Sequence, residues 1–331
     1  MIISRTPFRI SFFGGGTDYP IWYRKHGGAV LATTINKYCY ISCRYLPPFF
    51  PHKYRIIYSQ IELVKNISEI NHPSVREGLK FMKIKRGLEV HHDADLPART
   101  GLGSSSSFTV GLLHTLNAIK GSISTKRQLA LDAIYLEQEM MKENVGSQDQ
   151  VSASFGGMNY IKFNSHQDIE VHPITITAKR MSLFHSHLML FFTGFSRIAS
   201  DIAAEQIKTI HSKTKELRQI HDMVDASLQI LTGKSDFIKF GKLLHEHWKI
   251  KRGLSKKIST PLIDEMYTTA LRAGAIGGKI LGAGGGGFLL IFAKPQDQAR
   301  IKEKLKKLLY VPFRFEDFGS QIIFYSPGTL W

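Results

Sequence analysis

Leu96-Pro97-Ala98-Arg99-Thr100-Gly101-Leu102-Gly103-Ser104-Ser105-Ser106-Ser107 is the stretch that decides how this chain reads. It follows a strand-like segment at 88–93. It precedes a run in which Phe108, Leu112, Leu116 and Ile119 recur at helical spacing. That spacing predicts a helix over 104–119, ended by Gly121. Glycines let backbone come close to a ligand, and a helix start offers unpaired N–H groups at the positive end of its dipole. Serine hydroxyls add donors for phosphate oxygens or a metal, so the stretch is a good triphosphate cradle. It is not a Walker A loop, because no Gly-Lys-Ser/Thr closes it. The chain's one Gly-Lys-Ser, at 233–235, has Leu228 where the first glycine belongs. A serine cap after a flexible turn would need fewer serines and glycines.

Two more glycine segments flank this one in sequence. Gly282, Gly284 and Gly287 satisfy G-x-G-x-x-G, but they precede a strand (288–292) where a dinucleotide fingerprint follows one. A tight helix-to-strand turn would account for the run. Its cost in stability favours instead a place where backbone approaches a ligand. Near the start, strand residues 9–13 lead into Gly14-Gly15-Gly16, then Thr17 and Asp18. Polar side chains on such a turn can hydrogen-bond sugar hydroxyls; a plain strand-ending turn explains it equally well. The stretch Glu137-Gln138-Glu139 lies near the end of a helix expected over 125–143, and Gly146-Ser147-Gln148-Asp149-Gln150 follows on the loop beyond. An acid on a helix with another on the next loop can hold Mg²⁺ and receive a hydroxyl proton. A solvated helix end is the alternative.

Around these motifs the first third reads as strands (2–3, 9–13, 29–34, 38–44, 55–62, 88–93), with more at 158–163 and 188–192. From Arg197 to Gly274 the pattern is helical, with Thr260-Pro261 as a helix start. A helix over 296–309 and a strand over 321–325 finish the chain. The change from strand-rich to helix-rich composition places a domain boundary within 165–195.

The 331 residues carry 44 Lys plus Arg against 27 Asp plus Glu, a formal charge of +17, with 43% hydrophobic residues. This length suits two domains of roughly 150 residues, and the composition excludes a disordered chain or a low-complexity one. Nucleic acid, an anionic membrane face or phosphorylated small molecules would each suit the charge. Cys39 and Cys43 make no disulfide framework; four strand positions apart, they lie about 13 Å from one another, which fits a reducing cytoplasm. No apolar run approaches the roughly 20 residues of a membrane span, and Arg5 and Pro7 interrupt any signal-peptide core. His91-His92-Asp93 and His245-Glu246-His247 lack metal-ligand spacing and read as structural or exposed. The basic helix near 300–308 has Ile301, Leu305 and Leu308 as a core stripe with its lysines in solvent.

Taken in order, these segments resemble the GHMP kinases over nearly the whole chain. Gly101-Leu102-Gly103-Ser104-Ser105 after Pro97, and the run 282–287, are the most specific elements. The first motif reads Gly14-Gly15-Gly16-Thr17-Asp18 where galactokinases have Gly-Glu-His-Thr-Asp. That form is closer to the branch containing D-glycero-D-manno-heptose 7-phosphate kinases and fucokinases. The resemblance implies an α+β, two-domain fold: a ribosomal-protein-S5-like N-terminal domain (1–180) and a ferredoxin-like C-terminal domain (181–331), with the active-site cleft between. It implies ATP and Mg²⁺ as cofactors and phosphorylation of the anomeric hydroxyl of a sugar phosphate, with no nucleic-acid or membrane partner. By position, Asp149 and Arg9 become catalytic. Pro97, Gly101, Leu102, Gly103, Ser104, Ser105 and Ser106 bind nucleotide. Thr17, Asp18, Gly284 and Gly285 bind acceptor, and Ser105 with Glu137 binds Mg²⁺; Ser104 and Ser106 are the alternatives to Ser105. Lys37, Arg44, Arg55 and Arg99 are candidates for a substrate phosphate. A kinase for fucose or galactose, and a non-catalytic sugar- and ATP-sensing regulator on the same fold, are the other functions this resemblance admits.

Overall fold

A computed structural model describes residues 1–164, 168–195 and 199–327, with backbone only at 199–200. In chain order the first half runs β1 (Ile2–Phe13), α1 (Pro20–His26), β2 (Gly28–Tyr45), β3 (Tyr54–Ile57), β4 (Ile61–Val64), α2 (Pro73–Phe81), β5 (Leu88–Ala94), α3 (Ser104–Ile119), α4 (Lys126–Tyr135), α5 (Gln148–Phe155), β6 (Met158–Phe163) and β7 (Ile169–Pro173). The second half runs α6 (Ala178–His185), β8 (Leu188–Phe192), α7 (Ala199–Thr209), α8 (Thr214–Thr232), α9 (Ile238–Arg252), α10 (Pro261–Arg272), β9 (Ala275–Ile280), β10 (Phe288–Ala293), α11 (Gln298–Lys304), β11 (Leu309–Tyr310), β12 (Phe315–Glu316) and β13 (Gln321–Tyr325). Arg197, the expected start of the helical half, lies outside the described residues.

Among the described residues the strands form two sheets. The larger runs β13-β1-β2-β5-β3-β4, and the smaller runs β11-β8-β10-β9. The 18-residue β2 organises the larger sheet: one edge pairs with β1, and the other is shared along its length by β6, β12 and β5. Two strands from the end of the chain, β12 and β13, thus return to the sheet in which the chain began.

Helix α3 starts and stops at the residues its sequence pattern predicts. Gly103 caps it in the left-handed region, and its buried Leu112, Leu113 and Leu116 pack under β1 and β2. Thr260 caps α10 by accepting from the Ile263 N–H, with Pro261 in the first turn. The two sheets meet through aromatic rings: Phe12 of β1 touches Phe184 of α6 at 5.5 Å and Phe240 of α9 at 5.7 Å. Phe184 reaches Phe292 of β10 at 6.0 Å. Such ring contacts, edge-on at Phe12 and tilted between Phe184 and Phe292, add to the burial of each ring.

Several expectations need correction. The helix expected over 125–143 is α-helical only to Tyr135; Leu136–Met140 form a π-helical turn, a distortion frequent at functional sites. Asp149 lies not on a loop but in the first turn of α5. The strand expected over 55–62 is broken by a turn in which the Tyr58 N–H bonds the Gln60 carbonyl. Segments 2–3 and 9–13 are one strand, as are 29–34 and 38–44. The basic helix is shorter than expected, with Ile301 and Leu305 buried and its lysines outward. Cys39 and Cys43 are free and buried in β2.

Candidate active site

One cavity of about 920 Å³ opens between the two sheets. Its sides come from the end of β1, the turn after it, the stretch preceding α3, the start of α5, the end of α9 and the turn before β10.

The central feature is an ion pair. Arg9, 3% exposed near the end of β1, donates from Nε to Asp149 Oδ1 and from Nη2 to Asp149 Oδ2, both at 2.8 Å. This two-pronged geometry fixes both planes. The third arm, Nη1, donates to the Gly101 carbonyl at 2.7 Å, and the Arg9 N–H donates to the Leu102 carbonyl at 3.0 Å. The predicted phosphate cradle is therefore tied by hydrogen bonds to the strand that holds Asp149.

In the cradle, Arg99, Gly101 and Gly103 all have left-handed backbone, with φ of 61°, 83° and 76°. The path turns sharply and delivers the N-terminus of α3 to the cavity. Ser104 Oγ accepts from the Arg99 N–H, and Thr100 Oγ1 donates to the Pro97 carbonyl. Leu102 is buried; Pro97 is exposed. Ser104, Ser105 and Ser106 line the cavity, but the hydroxyl that reaches Glu137 belongs to Ser106, at 2.9 Å. Ser105 is exposed on the first turn.

Glu137 sits in the π-helical turn behind Ser106 and is fully buried. Gln150 also donates to its Oε2, while Oε1 has no partner among the described residues. Burial pushes its carboxyl up to about 7, against hydrogen bonds that pull the other way.

On the other side of Asp149 lies Asp18, 2% exposed. The Gly16 N–H and the Gln148 side-chain amide each donate to it at 2.9 Å. Burial raises its carboxyl above the ordinary range, and the nearby Asp149 charge adds to this. Thr17 is spent on the turn itself, donating to the carbonyls of Gly14 and Ala29. Gly284 and Gly285 lie against Ile258, whose carbonyl accepts from the Gly285 N–H at 2.8 Å. It is Gly282 and Ala283 that face the cavity.

Of the four basic candidates, only Arg99 lines the cavity. Arg44 and Arg55 both pair with Glu89. Lys251, near the end of α9, is the cation that sequence reasoning missed. It is 4% exposed, lines the cavity, and donates to the Gly282 carbonyl at 2.6 Å. The signal was present: Leu244, His247, Trp248 and Lys251 fall on one buried helix face. Lys279, also buried, donates instead to the carbonyls of Ser11 and Phe12 and joins β9 to β1.

At the far end the cavity is aromatic. The His72 ring stacks on Phe108 with centroids 4.6 Å apart, and His92 meets Phe108 edge-on at 5.0 Å. Burial lowers His72 to about 4, so it is neutral near pH 7. The second histidine cluster is structural in placement: His245 bonds the Tyr267 hydroxyl and His247 is buried.

Known proteins match this arrangement. The model of the GHMP kinase N-terminal domain matches residues 62–157, and that of the GHMP kinase C-terminal domain matches 226–311, together more than half of the chain. A D-glycero-alpha-D-manno-heptose 7-phosphate kinase from Campylobacter jejuni is 27% identical over 319 residues, 92% of this chain and 93% of that protein. A galactokinase from Thermotoga maritima is 24% identical over 97% of this chain and 96% of its own length. In fold, a D-glycero-D-manno-heptose 1-phosphate kinase from Bacteroides thetaiotaomicron superposes with a TM-score of 0.79 at 22% identity, covering 98% of this chain and all of that one. The chain belongs to the GHMP kinase family and is, like its sugar-kinase relatives, an ATP-dependent kinase.

Proposed function

We propose that this enzyme phosphorylates the anomeric hydroxyl of a sugar phosphate, D-glycero-D-manno-heptose 7-phosphate giving the 1,7-bisphosphate, in the synthesis of nucleotide-activated heptose. The observation that carries a transfer reaction is the Arg9–Asp149 pair, bonded to the phosphate cradle and open to the same cavity. The choice of acceptor leans on the 27% identical heptose 7-phosphate kinase.

In this reading the aromatic end of the cavity takes the base of ATP, and the N–H groups at the start of α3, with Ser104 and Ser105, bind its phosphates. Asp149 receives or orients the proton of the acceptor hydroxyl while Arg9 holds the carboxylate still. Asp18 and Gln148, already bonded to each other, present the acceptor side. Positioning and electrostatics supply most of the rate. Ser106 and Glu137 fit a Mg²⁺ site, since Glu137 Oε1 is a buried oxygen without a partner among the described residues. Bound there, the ion would supply positive charge at the phosphate oxygens.

Two lesser assignments accompany this. We place the domain division at 1–180 and 181–331, with the strands of residues 315–325 crossing back to the first domain's sheet. A cytoplasmic location is supported by two buried free cysteines; among the described residues no helix is long and apolar enough to cross a membrane.

The deciding experiment is ADP release measured with heptose 7-phosphate, fucose and galactose, with and without Mg²⁺. Preference for heptose 7-phosphate supports the reading. Preference for an unphosphorylated sugar moves the acceptor, and no turnover on any of them points to a sensing role.

A further inference from the structure

Ser11, Gln148 and Lys251 stand out because none was singled out from the sequence as a functional side chain, yet all three line the cavity and are at least nine-tenths buried. A Cβ built on Gly15 would lie 3.6 Å from Lys251 Nζ, 3.6 Å from Gln148 Nε2 and 3.9 Å from Ser11 Oγ. Three polar side chains from β1, α5 and α9 therefore converge over a backbone that offers no side chain of its own. Their hydrogen-bonding capacity is only partly spent: Gln148 Nε2 donates to Asp18 and Lys251 to the Gly282 carbonyl. Ser11 Oγ and Gln148 Oε1 have no partner among the described residues. Lys251 has three donors and one described bond, to Gly282. Buried polar groups are seldom left without a protein, water or ligand partner, and these three face a cavity that can hold one.

The phosphate cradle and these three side chains open on the same cavity. Gly103, the cap of α3, sits against Asp149, its would-be Cβ 3.4 Å from Oδ2. Lys251 lines the same cavity, within reach of the charges of Arg9, Asp18 and Asp149. Among the described residues it makes no ion pair, unlike Arg9, so its charge is available to a ligand.

We propose that Lys251, with Ser11 and Gln148, forms the seat of the acceptor's attacking oxygen, Lys251 donating a hydrogen bond to it and stabilising its developing negative charge. This rests on the kinase reading above. As the oxygen–phosphorus bond forms, the bond from the γ-phosphorus to the β,γ-bridging oxygen breaks and ADP leaves with that electron pair. The hydroxyl proton passes to Asp149 and then to water; Lys251 keeps its own proton throughout. A cation at the attacking oxygen explains how a carboxylate held by Arg9 suffices as proton acceptor.

The charged and titratable groups facing Lys251 are Arg9 from β1, Asp18 from the turn, Asp149 from α5, Lys279 from β9 and His247 from its own helix. Burial first, then Arg9, bring the Lys251 ammonium down to about 8, with Asp18 and Asp149 opposing. Activity that needs the protonated form falls as pH rises through this value.

The test compares Lys251→Met and Lys251→Arg with the wild type, each checked for folding by thermal melt and for ATP binding by calorimetry. The expected result for Lys251→Met is a fall in kcat of about 100-fold, with ATP affinity kept and the alkaline limb of the kcat/KM profile gone. Lys251→Arg recovers part of the rate and moves that limb upward. A kcat within about 3-fold of wild type, or an unchanged alkaline limb, overturns the inference. If the wild type turns over no sugar, the kinase reading fails separately. Calorimetry with heptose 7-phosphate and galactose then decides: loss of sugar binding in Lys251→Met supports the seat, and equal or absent binding in both proteins overturns it.

Discussion

Gly101 and Gly282, far apart in sequence, touch backbone to backbone. A Cβ on Gly101 would stand 2.4 Å from the Leu281 carbonyl oxygen, and one on Gly282 would stand 2.6 Å from Gly101 Cα. The two glycine-rich segments are thus halves of one joint, in which the turn before β10 braces the phosphate cradle. Gly101→Ala must separate them, at φ 83° besides. The expected cost is about 1–3 kcal/mol, read as a lower melting temperature together with weaker ATP binding. Unaltered melting and ATP affinity would show that the contact is dispensable.

Arg9→Lys keeps the charge but loses the two-pronged grip on Asp149. Asp149→Asn keeps the shape but loses the proton acceptor. Both are expected to lower kcat by at least about 100-fold with ATP still bound. Near-normal turnover in Asp149→Asn would remove that residue from the mechanism.

Glu137→Gln preserves size and a carbonyl oxygen while removing the charge. If Glu137 holds Mg²⁺, the Mg²⁺ concentration for half-maximal activity rises about 10-fold or more. An unchanged Mg²⁺ dependence, in a variant that melts like the wild type, would assign the ion elsewhere.

His247 makes stability depend on pH. It is fully buried against Phe13, with neither ring nitrogen bonded among the described residues, and burial holds its pKa well below 6.5. Below pH 6.5 the unfolded chain takes up a proton that the folded one refuses. Its effect on stability is therefore absent above that pH and grows as the pH falls. Melting of His247→Phe should lose less temperature between pH 7 and pH 5 than the wild type does; parallel curves would refute the assignment.

What the sequence made legible follows from how local each signal is. Helix α3 was readable to its ends because an apolar stripe and a glycine at each boundary lie within one short stretch. The Arg9–Asp149 pair was readable only through motif order, since 140 positions separate its members. The eight-residue α5 was hidden because it opens on the polar Gln148-Asp149-Gln150. The unity of β2 was hidden because Asn36 and Lys37 interrupt its apolar run where the strand passes from buried to half-exposed. Lys251 resembled any other surface lysine on a basic helix; its place on the buried face showed only in register with Leu244 and His247.

The pairing of β1 with β13 sets how the molecule bears tension. Ile2 stands opposite Tyr325, and the Met1 amino group donates to the Ser326 carbonyl, so both ends of the described chain leave the sheet side by side. A force drawing those ends apart loads the first rung of the ladder alone, then the next, as a zipper opens. The outermost strand should peel at low force, long before the cleft-bearing layers shear.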